Sequence, residues 1–436
     1  MVFGRGVNRH VRSWYAASAP ALAPRPALQG DLETDVCVIG GGIAGCSAAL
    51  HLAERGLRVV LLESELIGWG ASGRSGAQSI VGVACGQRKL ESLVGLADAR
   101  HIWDMTVEAL ALQRALIARH HIDCDFVAGQ MHVALNLRQQ RELREELDLL
   151  TSRYDYTAAR WVDLAQIRSL IASDRYIAGI HDENCAHLHP LKYTQGLAAA
   201  ADRAGVKIFE DTRALDYSRA AGSAGTRRLT VRTAHGSVRC SALALCGNAW
   251  LGSFAPTLAR KIIGVGTYII ATQPLGEERA RTLIRNNAAV TDANWVLDYF
   301  RRSSDHRLLF GGRVSYSGID PLGTRRATRA RMLKVFPQLA DAGIDHAWGG
   351  YVDITLNRAP HFGRLEPDVY FVQGFSGHGI ALTGIAGVLL AEAISGTAGR
   401  FDVFARIAHR DFPGGTALRR PALMLAMLWY RLRDLL

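Results

Sequence analysis

No window of this chain approaches the roughly 18 consecutive apolar residues needed to span a bilayer, no two of its cysteines stand in C-x-x-C spacing, and it has no lysine-rich run. Each absence removes a class. The first leaves no integral membrane span. The seven cysteines, at 37, 46, 85, 124, 185, 240 and 246, lack metal-site spacing and read as reduced, mostly buried thiols of a cytoplasmic protein. The first 30 residues carry Arg5, Arg9, Arg12 and Arg25 and no acid, but not the continuous apolar stretch of a secretory signal. The formal net charge of +11 is spread along the chain without aromatic interleaving, so it suits attraction of anionic ligands better than a nucleic-acid groove. With 436 residues, 49% hydrophobic and 21% charged, the chain exceeds one ordinary core and predicts two lobes.

What is present is concentrated first between residues 35 and 78. Asp35-Val-Cys-Val-Ile is an apolar strand, Gly40-Gly41-Gly42-Ile43-Ala44-Gly45 a glycine turn opening an alanine-rich helix, and Arg58-Val-Val-Leu-Leu-Glu63 a second strand ending in a carboxylate. Gly40 permits the tight turn, Gly42 lets backbone N–H groups approach a pyrophosphate at the positive helix end, and Gly45 lets helix and strand pack closely. Glu63 stands where an acid accepts hydrogen bonds from a ribose diol. Next comes Gly68-Trp-Gly-Ala-Ser72-Gly73-Arg74-Ser75-Gly76-Ala77-Gln78, a close-approach loop in which small residues frame one guanidinium. A second loop of this kind suits FAD better than the shorter NAD.

These segments, with Leu309-Phe-Gly-Gly-Arg313-Val-Ser-Tyr316, Trp348-Gly-Gly-Tyr351-Val-Asp353-Ile-Thr-Leu-Asn357-Arg358-Ala-Pro360 and Gln373-Gly374-Phe-Ser376-Gly377-His378-Gly379-Ile380-Ala381, resemble the FAD-dependent D-amino-acid-oxidase superfamily, and within it the gamma-glutamylputrescine oxidoreductase branch. The resemblance implies an α/β fold, α+β overall, with a Rossmann-type FAD-binding lobe interleaved with an antiparallel-sheet substrate lobe. We expect an N-terminal extension at 1–30, the FAD lobe at 31–90, 170–260 and 345–400, the substrate lobe at 91–169 and 261–344, and a helical tail at 401–436. Apolar periodicity predicts helices over 90–122, 139–150 and 194–204. Strands are expected at 206–210, 237–246, 267–272 and 307–311.

Further FAD contacts are carried over to Ala214, to the turn at Gly247 and Asn248, and to Gly374, Ser376, Gly377, Gly379, Ile380 and Ala381. Backbone amides at that last helix start would stabilise negative charge on the reduced flavin. Amino-acid oxidases of the superfamily often hold the substrate carboxylate with an arginine where this chain has Val352, and Asp353 beside it repels a carboxylate. That departure favours an amine over a simple α-amino acid. Trp348 and Tyr351 are then expected to line an amine channel, Arg313 to meet a distant γ-glutamyl carboxylate, and Asp353 to attract the ammonium end; for Trp348, core packing is the competing reading. His378 reads as a flavin-facing structural histidine as readily as a general base. Lys261 reads as a surface lysine before a role in oxygen reduction. No cysteine follows Cys246, and Gly68-Trp69-Gly70 stands where some relatives carry a flavin-linked histidine, so FAD is expected to be non-covalent.

The expected activity is oxidation of a small primary amine by hydride transfer to flavin N5, giving aldehyde and ammonia, with O2 or another acceptor taking the electrons. Other readings are a secondary or D-amino-acid oxidase of the sarcosine or glycine oxidase kind, a flavoprotein acting on modified RNA, and a flavin binder without turnover. Residues 421–436 form an amphipathic segment read as a helix docked on its own protein or a second subunit, with a membrane-surface contact as the other reading.

Overall fold

The computed structural model describes residues 10–220, 228–315 and 323–413. Among these residues the strands form three sheets. The first runs His361–Glu366, Val369–Gln373, Ala242–Leu245, Val36–Ile39, Val59–Leu62, Lys207–Phe209, parallel except for the hairpin at its edge. Its central strands are buried on both faces, as their unbroken apolar runs require. Val36, Val38, Val59 and Leu61 face a core built with helices Ile43–Glu54, Gln87–His120, Pro190–Arg203 and Leu382–Ile394. Cys37, Ile39, Val60 and Leu62 face the small four-stranded sheet that contains Arg228–Arg232 and Ser237–Cys240.

The largest sheet is mostly antiparallel and has the order Ile344–Thr355, Ile262–Thr272, Leu308–Ser315, Tyr299–Arg302, Ala289–Asp292, Val127–Ala134, Ala178–His187, Gln78–Ser79, with Ala159–Val162 also pairing on Ala178–His187. Period-two alternation sorts its faces. Met131, Val133, Val290, Phe300 and Phe310 pack beneath helix Thr324–Val335. Thr291, Tyr299 and Arg301 look the other way, onto the loop at 74–78 of the first lobe.

The two-lobe α/β architecture stands as the sequence implied, but several boundaries move. The strand Ile344–Thr355 belongs to the substrate sheet, so the FAD lobe resumes only at His361. Strand Ala178–His187 likewise belongs to the substrate sheet, not to an FAD segment starting at 170. The helix Gln87–His120, broken at Gly95 where φ is +80°, buries Leu90, Ile102 and Leu110 in the FAD-lobe core, although 91–120 was assigned to the substrate lobe. Apolar periodicity shows that a segment is buried and not which of two adjoining cores receives it. In the tail, helix Gly399–Ala405 packs Phe401 and Phe404 into the same core; residues 414–436, with the amphipathic segment, lie outside the described residues. No described helix is long and apolar enough to cross a membrane.

The N-terminal segment is a further correction. Residues 10–19 form no detached extension: Trp14 and Tyr15 are buried where the two lobes meet, in one cluster with Leu191, Ile269 and Trp348. The Tyr15 hydroxyl donates to the Ser75 carbonyl (2.9 Å) and accepts from the Arg301 guanidinium (3.1 Å). Tyr15→Phe would leave both partners unmatched in a buried site and is expected to cost about 1–3 kcal/mol; Tyr15→Ala, which also opens a cavity, about 3–5 kcal/mol. Urea denaturation midpoints would measure both, and a Phe variant as stable as wild type would remove the clasp.

Candidate active site

The glycine turn is built by close approach. Gly40 has φ +109°, and a Cβ there would lie 2.8 Å from the carbonyl carbon of Cys246, so the turn at 246–248 presses directly on it. A Cβ on Gly45 would run into the Gly40 carbonyl oxygen. Helix Ile43–Glu54 has no side-chain cap from its own Gly42; instead the Ile43 N–H donates to Ser72 Oγ (3.0 Å) of the second loop. A side chain on Gly42 would collide with that same oxygen. Glu63 accepts from the Gly41 N–H (2.6 Å) and the Glu65 N–H (2.9 Å), which fixes its carboxylate at the lip of the turn. Burial raises its pKa, and these backbone bonds pull it back.

The loop at 68–78 is clamped from the other lobe. Trp348 Nε1 donates to the Arg74 carbonyl (2.9 Å), Tyr15 to the Ser75 carbonyl, and Arg301 Nε to the Gly76 carbonyl (3.3 Å). Gln78 has both ends of its amide engaged, with the Val290 carbonyl (3.0 Å) and the Thr291 hydroxyl (2.5 Å), so it ties the loop to the substrate sheet rather than presenting itself to a cofactor. Ser75 Oγ accepts from the Ala77 N–H within the loop, and Gly73 admits no Cβ beneath the Gly68 carbonyl. Arg74 is 5% exposed; its Nε donates to the Trp69 carbonyl (2.5 Å) and its guanidinium carbon sits 4.0 Å from the centre of the Trp69 ring. One terminal nitrogen has no partner within the protein. Burial lowers the Arg74 pKa to about 10, and burial with the nearby Arg74 charge lowers that of His10 to about 4. A buried guanidinium with an open donor, next to a helix N-terminus cleared of side chains, fits the phosphates and carbonyls of FAD.

The opposite wall is the turn at 374–379. Asp353 is 2% exposed and accepts from the Gly374 N–H (2.5 Å), with Asn248 as its second partner. Asn248, in a left-handed conformation (φ +52°) beside Gly247, also approaches the Gly374 N–H. Asp353 is therefore engaged in holding two turns together and does not face an incoming ammonium, a correction to that expectation. Ser376 (φ +52°) donates its N–H to the Asp353 carbonyl, and Gly377 (φ +91°) is exposed. The helix beyond begins at Leu382 with Ala381 before it, later than the expected Ile380, and the Gly379 carbonyl accepts from the Thr383 N–H.

His378 Nε2 lies 2.8 Å from the Val81 carbonyl, an acceptor only, so that nitrogen carries the proton. Burial lowers its pKa to about 4. Through Nε2 it is a neutral tie across the site. Trp348 is 1% exposed with its N–H engaged on Arg74, so it supports the loop and lines no open channel. Tyr351 does stand at the surface of the site, edge-on to Trp250 (5.5 Å between ring centres), which meets Trp69 in turn (5.2 Å). Val352 turns toward Gly377, its Cγ1 3.8 Å from where a Cβ would stand. Lys261 pairs with Asp411 (3.1 Å) and donates to the His409 carbonyl, engaged with the C-terminal segment rather than with oxygen chemistry. Ala214 packs against the apolar cluster behind the first sheet. The strand position of Arg313 is opposite Tyr268, and its side chain lies outside the described ones. Sequence reasoning missed Tyr15, Arg301 and Trp250; no local spacing links them to the loop they hold.

The family model for FAD dependent oxidoreductases, DAO, matches residues 35–393. The chain belongs to this family. It is 41% identical over 429 residues to a gamma-glutamylputrescine oxidoreductase of Escherichia coli (strain K12), covering 98% of this chain and 99% of that one. It is 39% identical to a probable oxidoreductase, OrdL, of Haemophilus influenzae (strain ATCC 51907 / DSM 11121 / KW20 / Rd), covering 98% of each. Among solved structures, glycine oxidase from Geobacillus kaustophilus aligns over 87% of this chain and all of that one, with a TM-score of 0.72 at 19% identity, which shows the shared fold. The protein is thus a DAO-family FAD oxidoreductase.

Burial raises the Asp353 pKa to about 6. A carboxylate whose folded pKa is raised contributes stability below its unfolded value near 3.8, and that contribution is lost as pH climbs toward 6. Asp353→Asn should therefore gain on wild type between pH 4 and 6, by about 3 kcal/mol, then hold that gain constant. Melting temperatures of the two proteins across that range test this, and a difference independent of pH would refute it.

Proposed function

We propose that this enzyme oxidises a primary amine of the gamma-glutamylputrescine kind, in the cytoplasm, with non-covalently held FAD, to an imine that water hydrolyses to aldehyde and ammonia as O2 is reduced to hydrogen peroxide. The observation that carries the reading is the strand at 350–353. Val352 meets the exposed glycine turn with an aliphatic surface, and Asp353 is turned away and engaged with Asn248 and Gly374. No cation on that strand awaits an α-carboxylate, whereas a neutral amine with an alkyl stem suits an uncharged wall. The likeness to the Escherichia coli gamma-glutamylputrescine oxidoreductase supports the same class of substrate.

When bound, FAD accepts a hydride from the carbon bearing the amine and passes two electrons to dioxygen. The chain supplies position and field. Arg74, held rigidly on Trp69, contributes a fixed positive charge with one donor in hand. The positive end of helix Leu382–Ile394, just beyond the 374–379 turn, would favour the negative charge of a reduced flavin held there. Val352 gives the contact region an apolar surface, which favours the uncharged amine that hydride loss requires. His378, neutral and tied to Val81, keeps the glycine turn in place without taking a proton. The seven free cysteines accord with a reducing compartment.

Anaerobic stopped-flow bleaching of the flavin with gamma-glutamylputrescine, putrescine, sarcosine and a D-amino acid tests the reading: fast bleaching by the glutamylated amine is expected, and fast bleaching by sarcosine or the D-amino acid would overturn it. Acid precipitation should leave all yellow colour in the supernatant; colour retained in the pellet would contradict non-covalent binding. His378→Asn should lower the limiting bleaching rate by less than about tenfold, against the 10²–10⁴ expected for loss of a general base.

A further inference from the structure

Arg358 occupies the turn between strands Ile344–Thr355 and His361–Glu366, in a left-handed conformation (φ +62°) that non-glycine residues adopt sparingly. The turn is held firmly: the Arg358 N–H donates to the Thr355 carbonyl (3.1 Å), and Asn357 Oδ1 accepts from the Thr355 hydroxyl and from the Ala359 N–H (both 3.1 Å). It wraps the glycine turn of the site, since a Cβ on Gly374 would strike the Thr355 methyl and lie 3.5 Å from His361 Cβ. The Arg358 guanidinium carbon lies 5.2 Å from the centre of the Trp295 ring. Trp295 comes from the substrate sheet, in the connection between Ala289–Asp292 and Tyr299–Arg302, and is 39% exposed. The pair therefore ties the turn that wraps Gly374 to the substrate sheet. The Arg358 charge adds to burial in lowering the His378 pKa, in keeping with a guanidinium near the glycine turn.

An acylated diamine carries its carboxylate many bonds from the carbon that is oxidised. With the amine end against Val352, the carboxylate reaches the mouth of the site rather than the strand. A guanidinium stacked on an indole is pre-oriented, and its planar fork matches a carboxylate. We propose that Arg358, seated on Trp295 where the two lobes meet, is the receptor for a carboxylate at the far end of the substrate. This deepens the primary-amine reading above and rests on it.

The test uses the FAD-loaded full chain and its Arg358→Gln, Arg358→Lys and Arg313→Gln variants, with visible spectra and melting curves as the check on folding. Half-saturating concentrations for anaerobic bleaching are compared for gamma-glutamylputrescine and for N-butyrylputrescine, an acylated diamine without the carboxylate. Wild type should prefer the glutamylated amine, Arg358→Gln should lose about 30- to 100-fold of that preference, and Arg358→Lys should recover part of it. Calorimetric titration with N-butyl-γ-glutamylamide, which keeps the carboxylate and lacks the oxidisable amine, should show the same loss of binding. A preference unchanged in Arg358→Gln, an equal weakening of both amines, or a loss appearing in Arg313→Gln instead would overturn the assignment. If wild type is bleached by neither amine, the primary-amine reading falls by itself, and the titration alone decides Arg358: binding lost in the Gln variant upholds a carboxylate receptor, and binding retained removes it.

Discussion

Three consecutive peptide carbonyls, those of Arg74, Ser75 and Gly76, each accept a hydrogen bond from a side chain of a distant element: Trp348, Tyr15 and Arg301. The rest of the site depends on this clamp. A loop of small residues has little side-chain packing of its own to hold it, and buried carbonyls left unmatched would be costly. Donors from the substrate sheet and the N-terminal segment meet both needs together and fix the register of one lobe on the other. Arg301 itself is buried, and among the described residues it pairs with no carboxylate; its donors end on the carbonyls of Gly76, Leu188 and Arg302, the Tyr15 hydroxyl and His187. A cation so placed is satisfied entirely by dipoles, and its charge still spreads into the junction.

The electrostatic character of the junction follows. Burial, aided by the neighbouring arginines, lowers His10 to about 4 and His187 to about 3. Burial lowers His378 to about 4. The histidines are thus neutral scaffolding across the working pH range, while the permanent positive charge belongs to arginines, which keep theirs. The buried acid nearest the glycine turn, Asp353, serves the backbone of that turn. Such a region favours negative charge accumulating on a bound group and an uncharged amine beside it.

Much of this was legible in the chain. The strand, glycine turn, helix and acid at 35–63 fold as their spacing requires, the loop at 68–78 lies against the helix N-terminus through Ser72, and the glycine run at 374–379 forms the facing wall. Where the reading failed, it failed on partners. For Trp348 the core-packing reading is the one its donation to a loop carbonyl fits, not the channel; the Gln78 side chain, expected at the cofactor, is a cross-lobe tie. Each residue type was correctly picked out as important, but its direction was set by an element elsewhere in the chain.

The division has a physical basis. Apart from the press of Cys246 on Gly40, the contacts of the glycine turn, with Glu63, Ser72 and its own Gly40 carbonyl, are close in sequence, so their steric demands appear as spacing: a missing Cβ at 40, 42 and 45 and an acid at 63 can be read in one line of sequence. The sequence by itself determined the nucleotide-type lobe, the FAD-sized double loop and the absence of an arginine at 352. Only the tertiary structure decided the lobe boundaries, the inward fold of residues 10–19 and the bridge from Arg358 to Trp295. Tyr15 and Arg301 are 286 residues apart, and nothing local records that a parallel sheet and an antiparallel one will close over the same loop.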